Sequence, residues 1–197
     1  MLIAFALTWM VLIGLVLAVF ALTRQVGLLH ERLAPIGALT LQSSLEPGDV
    51  APRISVTTLS GNTLEVGGAR PAGDLQLLLF VAPTCPVCKT LMPTAKAFAA
   101  AEALQLVVIG DGDIEEHLRM AARFDLSPAQ FVVSAEVGRA YRVGKLPHAV
   151  LIADSGMVVA QGLVNTREHL ESLLVAHETG MQSVQQYLQS RKSIQHV

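Results

Sequence analysis

The chain contains only two cysteines, Cys85 and Cys88, in the segment A-P-T-C-P-V-C-K. Cysteines at this spacing can form a structural bridge, supply half of a metal site, or exchange disulfides with another protein. A bridge is disfavoured because it closes a loop of only a few residues and restricts the unfolded chain little. Zinc is disfavoured because it needs two more ligands, and the six histidines show no close metal-ligand spacing. The pattern favours thiol–disulfide exchange.

The pair lies where a predicted buried strand, Leu75–Ala82, is followed by a predicted helix, Pro86–Ala103. Unpaired N–H groups and the positive end of the dipole stabilise a thiolate at a helix start, where the pKa of a cysteine falls to between about 3.5 and 7.5. We therefore expect Cys85 to be the attacking sulfur and Cys88, one turn later, to resolve the mixed disulfide. Pro86 suits the first helical position, because it loses no hydrogen bond there.

The remaining segments predict an α/β domain with helices on both faces of a mixed sheet. Turn signals at Ser60-Gly61-Asn62 and Asp154-Ser155-Gly156 predict two hairpins. The predicted strands are Ile54–Leu59, Thr63–Val66, Leu104–Ile109, Phe131–Ser134, Ala149–Ala153 and Met157–Gln161. The predicted helices are Ile114–Phe124 and Thr166–Ala176, with Thr166 as the N-cap, and the segment Gln182–Lys192 is either a further helix or a frayed tail.

The N-terminal segment Leu2–Leu22 has 21 uncharged residues, enough for a helix of about 30 Å that crosses a bilayer once. A cleavable signal peptide ending near Ala21 is the alternative, but the run is longer than a usual signal core and no basic residue precedes it. Arg24 and Arg32 follow the span, a charge bias that by itself would place the later residues in the cytoplasm.

These segments divide the chain into four regions. Residues 1–23 are the predicted transmembrane anchor, 24–45 a juxtamembrane helix and linker, 46–180 the α/β domain and 181–197 a C-terminal tail. The linker proper is Gln42–Pro52, which is rich in Ser, Pro, Gly and acidic residues. A net charge of −2 without a Lys/Arg cluster argues against a nucleic-acid partner.

Three segments resemble known proteins. The first hairpin, E-P-G-D-V-A-P-R-I-S-V-T-T-L-S-G-N-T-L, is similar to the start of membrane-tethered thioredoxin-like and peroxiredoxin-like proteins. The segments R-Q-V-G-L-L-H-E-R-L-A-P-I-G-A-L (Arg24–Leu39) and P-T-C-P-V-C-K-T-L-M-P (Pro83–Pro93) resemble the MauD family of methylamine dehydrogenase accessory proteins. With the anchor and the overall length, this resemblance covers essentially the whole chain.

The resemblance implies a thioredoxin-like fold on a single-pass inner-membrane anchor, with the C-terminal domain in the periplasm. We take this periplasmic location over the cytoplasmic one that the charge bias indicates. The implied client is the small (beta) subunit of an amine dehydrogenase, which carries many disulfides and a tryptophan-derived quinone; the implied task is to form or rearrange those disulfides. The Cys85–Cys88 disulfide would be the redox group, with no further cofactor, and a redox partner that the sequence does not identify would recharge it.

The resemblance also implies supporting residues. In thioredoxin-like folds a cis proline lies beside the disulfide, and Pro147, roughly 60 residues after the cysteines, matches that position. His148 follows it and would lie near the sulfurs, although a surface or packing role is the alternative. Thr84 stands where thioredoxins usually have tryptophan, and Leu79 where they have a buried acid. Without that proton acceptor, isomerase or oxidant chemistry is favoured over reduction.

Other functions remain open at this point. A periplasmic reductant that keeps apocytochrome cysteines free for haem attachment would use the same residues. A peroxidase is disfavoured, because peroxiredoxins have threonine three residues before the reactive cysteine and this chain has Ala82. A non-catalytic chaperone or scaffold would hold the dehydrogenase subunit through the apolar stripe of Arg24–Leu39.

Overall fold

The chain divides into two units, residues 1–41 and 42–197. The computed structural model describes residues 5, 9–10, 12–17, 19–20 and 45–179. In the first unit the described residues are helical and their side chains are exposed, with the rings of Phe5 and Trp9 in edge contact at 6.2 Å. Within the described residues, no helix combines the length and apolarity that a membrane crossing needs. The predicted span Leu2–Leu22 lies partly outside them; the juxtamembrane helix and the segment Gln182–Lys192 lie wholly outside.

The second unit begins with a hairpin that forms a sheet of its own. Strands β1 (Ile54–Thr57) and β2 (Thr63–Val66) pair antiparallel. The chain just after β1 meets the large sheet, because the N–H of Leu59 donates to the carbonyl of Phe131 at 2.8 Å. The predicted hairpin is confirmed, with its first strand ending two residues early.

Among residues 45–179, the large sheet has five strands in the order β5–β4–β3–β6–β7. The strand β3 lies at its centre, parallel to β4 and antiparallel to β6; β5 is parallel to β4, and β7 is antiparallel to β6. The bounds are Gln76–Phe80 for β3, Gln105–Gly110 for β4, Phe131–Val133 for β5, His148–Ile152 for β6 and Val158–Leu163 for β7. The predicted mixed sheet is confirmed.

In the described part of the second unit, four α-helices flank this sheet: α1 (Pro86–Ala101), α2 (Ile114–Arg123), α3 (Ala135–Ala140) and α4 (Arg167–Thr179). The sequence did not predict α3. It has only six residues, too few for a helical repeat of apolar positions to be visible, and Ser134, assigned to the preceding strand, is its N-cap. The hydroxyl of Ser134 accepts the N–H of Val137 at 3.4 Å.

The core lies on the two faces of the sheet. All five residues of β3 are buried, and alternate side chains point to opposite faces. Leu77 and Leu79 belong to a cluster with apolar residues of α1, α2 and α4, which we call the cysteine face because it includes Cys88. Leu78 and Phe80 belong to a second cluster with residues of the hairpin and α3, which we call the hairpin face.

The described part of the predicted linker packs against the domain. Gly48 N donates to the Val158 carbonyl, Val158 N donates to the Asp49 carbonyl, and both distances are 2.8 Å. Leu45 and Ala51 are buried in the hairpin-face cluster. The polar composition of this segment predicted a linker; in the structure its backbone groups pair with Val158 and two of its apolar side chains are buried, contacts that composition does not reveal.

Candidate redox site

The sulfur of Cys85 caps the N-terminus of α1. The residue has extended backbone angles, φ −80° and ψ 114°, and its Sγ accepts the N–H of Cys88 at 3.2 Å. Its own N–H donates to the carbonyl of Ala82 at 3.0 Å. Both cysteines are free thiols; Cys85 is half-buried and Cys88 is buried. An N–H donor and a helix N-terminus are the surroundings in which cysteines act as nucleophiles in proteins.

Pro86 begins the helix and leaves the cysteine accessible. It occupies the start of α1, where a missing N–H costs nothing. Pro86 and Val87 are both exposed, so the side of the motif nearest to Cys85 faces solvent. A second protein therefore has access to the first sulfur and not to the second.

Cys88 lies in an apolar environment. Its side chain is 0% exposed and packs in the cysteine-face cluster with Leu79 and Leu91. Burial, followed by the hydrogen bond to Cys85, raises the pKa of the Cys88 thiol to about 12. Among the described residues the buried polar side chains are Thr58, Gln76 and His117, so no buried carboxylate is available as a proton acceptor.

Pro147 lies at the end of the sheet where β3 stops and the cysteine loop begins. The Leu146-Pro147 bond is cis, and Pro147 is buried. The next residue, His148, pairs with Phe80 at the end of β3, and the Cys85 loop starts directly after that strand. The carbonyl of Pro147 accepts the N–H of Val164 at 3.1 Å.

The structure does not bring the His148 ring to the sulfurs. His148 is directly opposite Phe80, so both side chains lie on the hairpin face, with ring centroids 6.4 Å apart. Its Nε2 hydrogen bonds with Oε1 of Gln161 at 3.2 Å, and burial holds its pKa below the usual value. Cys88 packs on the other face. The packing role weighed for His148 is therefore the one that this geometry supports.

Thr84 is exposed and lines a groove of about 350 Å³ between the start of α1 and α2. Lys89, Arg119 and Arg123 also line this groove. The sequence analysis did not place these three cations at the site. The i, i+4 spacing of the two arginines can be read from the sequence, but their proximity to Lys89 depends on how α1 and α2 pack. Elsewhere, no three His, Cys, Asp or Glu side chains of the described residues group to hold a metal ion.

Solved structures with the same fold share this architecture. One is a secreted disulfide oxidoreductase of Mycobacterium tuberculosis, described as homologous to E. coli DsbE, with a TM-score of 0.53, 24% identity, and coverage of 62% of this chain and 95% of that chain. A putative thiol:disulfide interchange protein DsbE from Chlorobium tepidum has a TM-score of 0.57 at 22% identity, and the match covers 68% of this chain and 98% of that chain. At these identities the likeness establishes the fold, which is thioredoxin-like.

No family model matches the chain. Curated relatives do match it along nearly its full length. The methylamine utilization protein MauD of Methylorubrum extorquens is 47% identical over 94% of this chain and 91% of its own. The MauD of Paracoccus denitrificans is 46% identical over 94% of this chain and 93% of its own length. The MauD of Methylophilus methylotrophus is 37% identical over 95% of this chain and 89% of its own length. On these identities and coverages, the chain belongs to the MauD family.

Proposed function

We propose that this chain is a membrane-anchored thiol–disulfide oxidoreductase of the periplasm that acts in the maturation of an amine dehydrogenase small subunit. Membership of a family named for methylamine utilization supports the pathway. The single observation that carries the chemistry is the half-buried Cys85 sulfur at the start of α1, 3.2 Å from the N–H of Cys88.

The reaction is an exchange of sulfur–sulfur bonds. The Cys85 thiolate attacks a mispaired disulfide of the client, one client sulfur bonds to Cys85, and the other leaves as a thiolate. A further client thiolate then attacks the client sulfur of the mixed disulfide. A client disulfide re-forms in a new pairing and Cys85 leaves as a thiolate, so no net electrons move.

The high pKa of Cys88 favours this rearrangement over net reduction. Reduction requires the Cys88 thiolate to attack the mixed disulfide and release the client with both of its sulfurs reduced. A pKa of about 12 leaves little thiolate on Cys88 at neutral pH, so this step is slow. The mixed disulfide then lasts long enough for the client's own thiols to rearrange.

Net disulfide formation by the same site needs a further component. Client dithiols would reduce the Cys85–Cys88 disulfide, and the two electrons left on the cysteines must pass to a partner disulfide or another two-electron acceptor. The oxidising periplasm supports both activities, since a client with many cysteines must form bonds and correct wrong ones there.

The client is tested by trapping it. We expect the Cys88→Ala chain, expressed in its methylamine-grown host and quenched with acid and N-ethylmaleimide, to carry the dehydrogenase small subunit on Cys85. Reduction of the purified complex followed by mass spectrometry identifies what was bound. Recovery of c-type apocytochromes alone would replace the proposal with the reductase alternative.

A second pair of variants separates catalysis from scaffolding. The Cys85→Ser, Cys88→Ser double variant should stop maturation of the dehydrogenase, measured as the fraction of small subunit with native disulfides. Full maturation by this variant would show that the chain acts as a non-catalytic scaffold. The matched control is Cys85→Ala, Cys88→Ala in the trapping experiment, which should capture nothing.

The anchor and compartment need their own test. A fusion of alkaline phosphatase after residue 197 should be active, because that enzyme needs periplasmic disulfides, and the activity should sediment with membranes. Replacing Leu2–Leu22 by a cleavable signal peptide should release it to the soluble periplasm. An inactive full-length fusion would favour the orientation that Arg24 and Arg32 suggest.

A further inference from the structure

A basic groove lies directly beside the redox motif. We define it by residues that line it from the cysteine loop, from the first turn of α1, and from α2 with its C-cap: Thr84, Lys89, Glu116, Arg119, Arg123 and Phe124. Three of its four charged side chains are cationic. Glu116, Arg119 and Arg123 are exposed and Lys89 is partly so, which leaves the groove with a net positive charge that a ligand in solvent can meet.

These cations differ from the paired ones on the described surface. Three of the lysines and arginines elsewhere are held in the ion pairs Arg53–Glu65, Lys96–Asp125 and Arg167–Glu171. Among the described residues, none of the three cations of the basic groove has a carboxylate within ion-pair distance. The groove therefore has a net positive charge, three cations against Glu116, and none of the three is held in an ion pair with a described residue.

The local contacts of the two arginines keep them in the groove without neutralising them. Arg119 Nε donates to the backbone carbonyl of Glu115 at 3.3 Å, and the guanidinium of Arg123 lies 5.7 Å from the centre of the Phe124 ring. Because like charges four residues apart destabilise a helix, Arg119 and Arg123 carry a cost that an external anion would relieve. Guanidinium groups bind carboxylates through paired hydrogen bonds.

The basic groove is close to the reacting sulfur. Thr84 immediately precedes Cys85, and the N–H of Lys89 donates to the Cys85 carbonyl at 3.3 Å. A chain whose sulfur reaches Cys85 therefore has its neighbouring residues within reach of the groove. We propose that the basic groove binds an acidic segment of the protein substrate, next to the cysteine that Cys85 attacks. This inference rests on the proposed exchange function and adds that the substrate is negatively charged beside the cysteine that reacts.

The test uses two synthetic peptides of equal length, each with one cysteine joined by a disulfide to 2-thiopyridine. One peptide has four aspartates beside the cysteine, and the other has asparagines at those positions. The reduced Cys85 thiolate bonds to the peptide sulfur and expels 2-thiopyridine, whose absorbance gives the rate. Cys88 then forms the Cys85–Cys88 disulfide, and the peptide leaves as a thiol, so two electrons pass from the protein to the peptide disulfide.

The full-length chain in zwitterionic nanodiscs should react roughly tenfold faster with the aspartate peptide at low ionic strength, because opposite charges steer association. Salt at 0.5 M, where screening acts over only a few Å, should remove most of the difference. The Arg119→Gln, Arg123→Gln variant should react with both peptides at similar rates. Its rate with the asparagine peptide should equal that of the unmodified chain, which shows that it is folded and reactive.

The matched control removes two cations elsewhere. Arg53→Gln, Arg139→Gln has the same net charge as the groove variant, but both of its arginines are exposed and lie outside the basic groove. It should keep the preference for aspartate. If the control loses the preference as fully as the groove variant, overall charge is the cause and the groove proposal is overturned.

The peptides also separate this proposal from the proposed function. Equal rates for the two peptides with the unmodified chain overturn the groove proposal and leave exchange by Cys85 intact. Failure of the unmodified chain to release 2-thiopyridine from either peptide contradicts the exchange function itself, and with it the groove's role.

Discussion

The two faces of the sheet place their polar groups differently. On the cysteine face, Cys88 is enclosed by apolar side chains, whereas Cys85, which packs against the same cluster, is only half-buried. On the hairpin face, polar side chains pair within the domain: the hydroxyl of Tyr141 donates to the Pro52 carbonyl at 2.8 Å, and His148 bonds to Gln161. One face leaves a sulfur available for exchange, and the other uses its polar groups to hold the fold.

This difference shows how little adjacency in sequence says about function in a strand. Pro147 and His148 are neighbours, and so are Leu79 and Phe80. Leu79 packs with Cys88, while Phe80 and His148 contact each other on the opposite face. Because side chains alternate along a strand, Leu79 faces the redox motif and its neighbour Phe80 does not, and His148, opposite Phe80, shares that other face.

The largest expected effect tests the cysteine face. Cys85→Ser should reduce disulfide exchange with a peptide disulfide to the uncatalysed rate, because a hydroxyl at the N-cap is a much weaker nucleophile than a thiolate. Cys88→Ser should keep the first attack and stop at the mixed disulfide. Stopped-flow absorbance measures both steps. Activity in Cys85→Ser would show that the cysteines have the reverse roles.

The second prediction concerns the buried thiol. Resolution of a mixed disulfide on Cys85 should accelerate about tenfold for each pH unit between pH 7 and 9, because only the thiolate attacks and its fraction grows in proportion below the pKa. Burial is the main cause of the raised pKa of Cys88, and we expect it to persist when Cys85 is bonded to a substrate. A rate that levels off near pH 8 would show that Cys88 is more solvated than the structure indicates.

A third test moves to the hairpin face. Tyr141→Phe removes the hydroxyl bonded to the Pro52 carbonyl and should lower the free energy of unfolding by about 1–3 kcal/mol. The exchange rate should stay within about twofold, because Tyr141 packs in the hairpin-face cluster and Cys88 packs in the cluster on the opposite face. Urea unfolding and the peptide assay give the two numbers. A large loss of exchange with little loss of stability would reverse the assignment of the two faces.

The smallest expected effect is at His148. Its pKa is depressed by burial, so between the folded value and about 6.5 the unfolded chain binds more protons than the folded one, and stability falls as pH falls through that range. His148→Gln should remove this loss of stability at low pH, and should lower the free energy of unfolding at pH 7 by less than about 1 kcal/mol. Unfolding curves at several pH values test it. Slower exchange in this variant at unchanged stability would restore His148 to the redox site.

Much of the site could be predicted because it depends on local chain geometry. A proline between two cysteines at a strand–helix boundary predicts the cap, and the structure has the Cys85 sulfur there. The apolar run of Leu75–Ala82 predicts a strand buried on both faces, as β3 is. Prediction from local pattern also has a lower limit of length: α3 was missed because six residues are too few to show a helical repeat of apolar positions.

The sequence by itself determined which residues can carry the chemistry, because hydrogen bonds at a helix start and alternation along a strand act over a few residues. Only the tertiary structure decided the rest: the raised pKa of Cys88, the face on which His148 lies, and the meeting of Lys89 with Arg119 and Arg123. These depend on desolvation and on charge summed over distant segments, which are properties of packing and not of spacing.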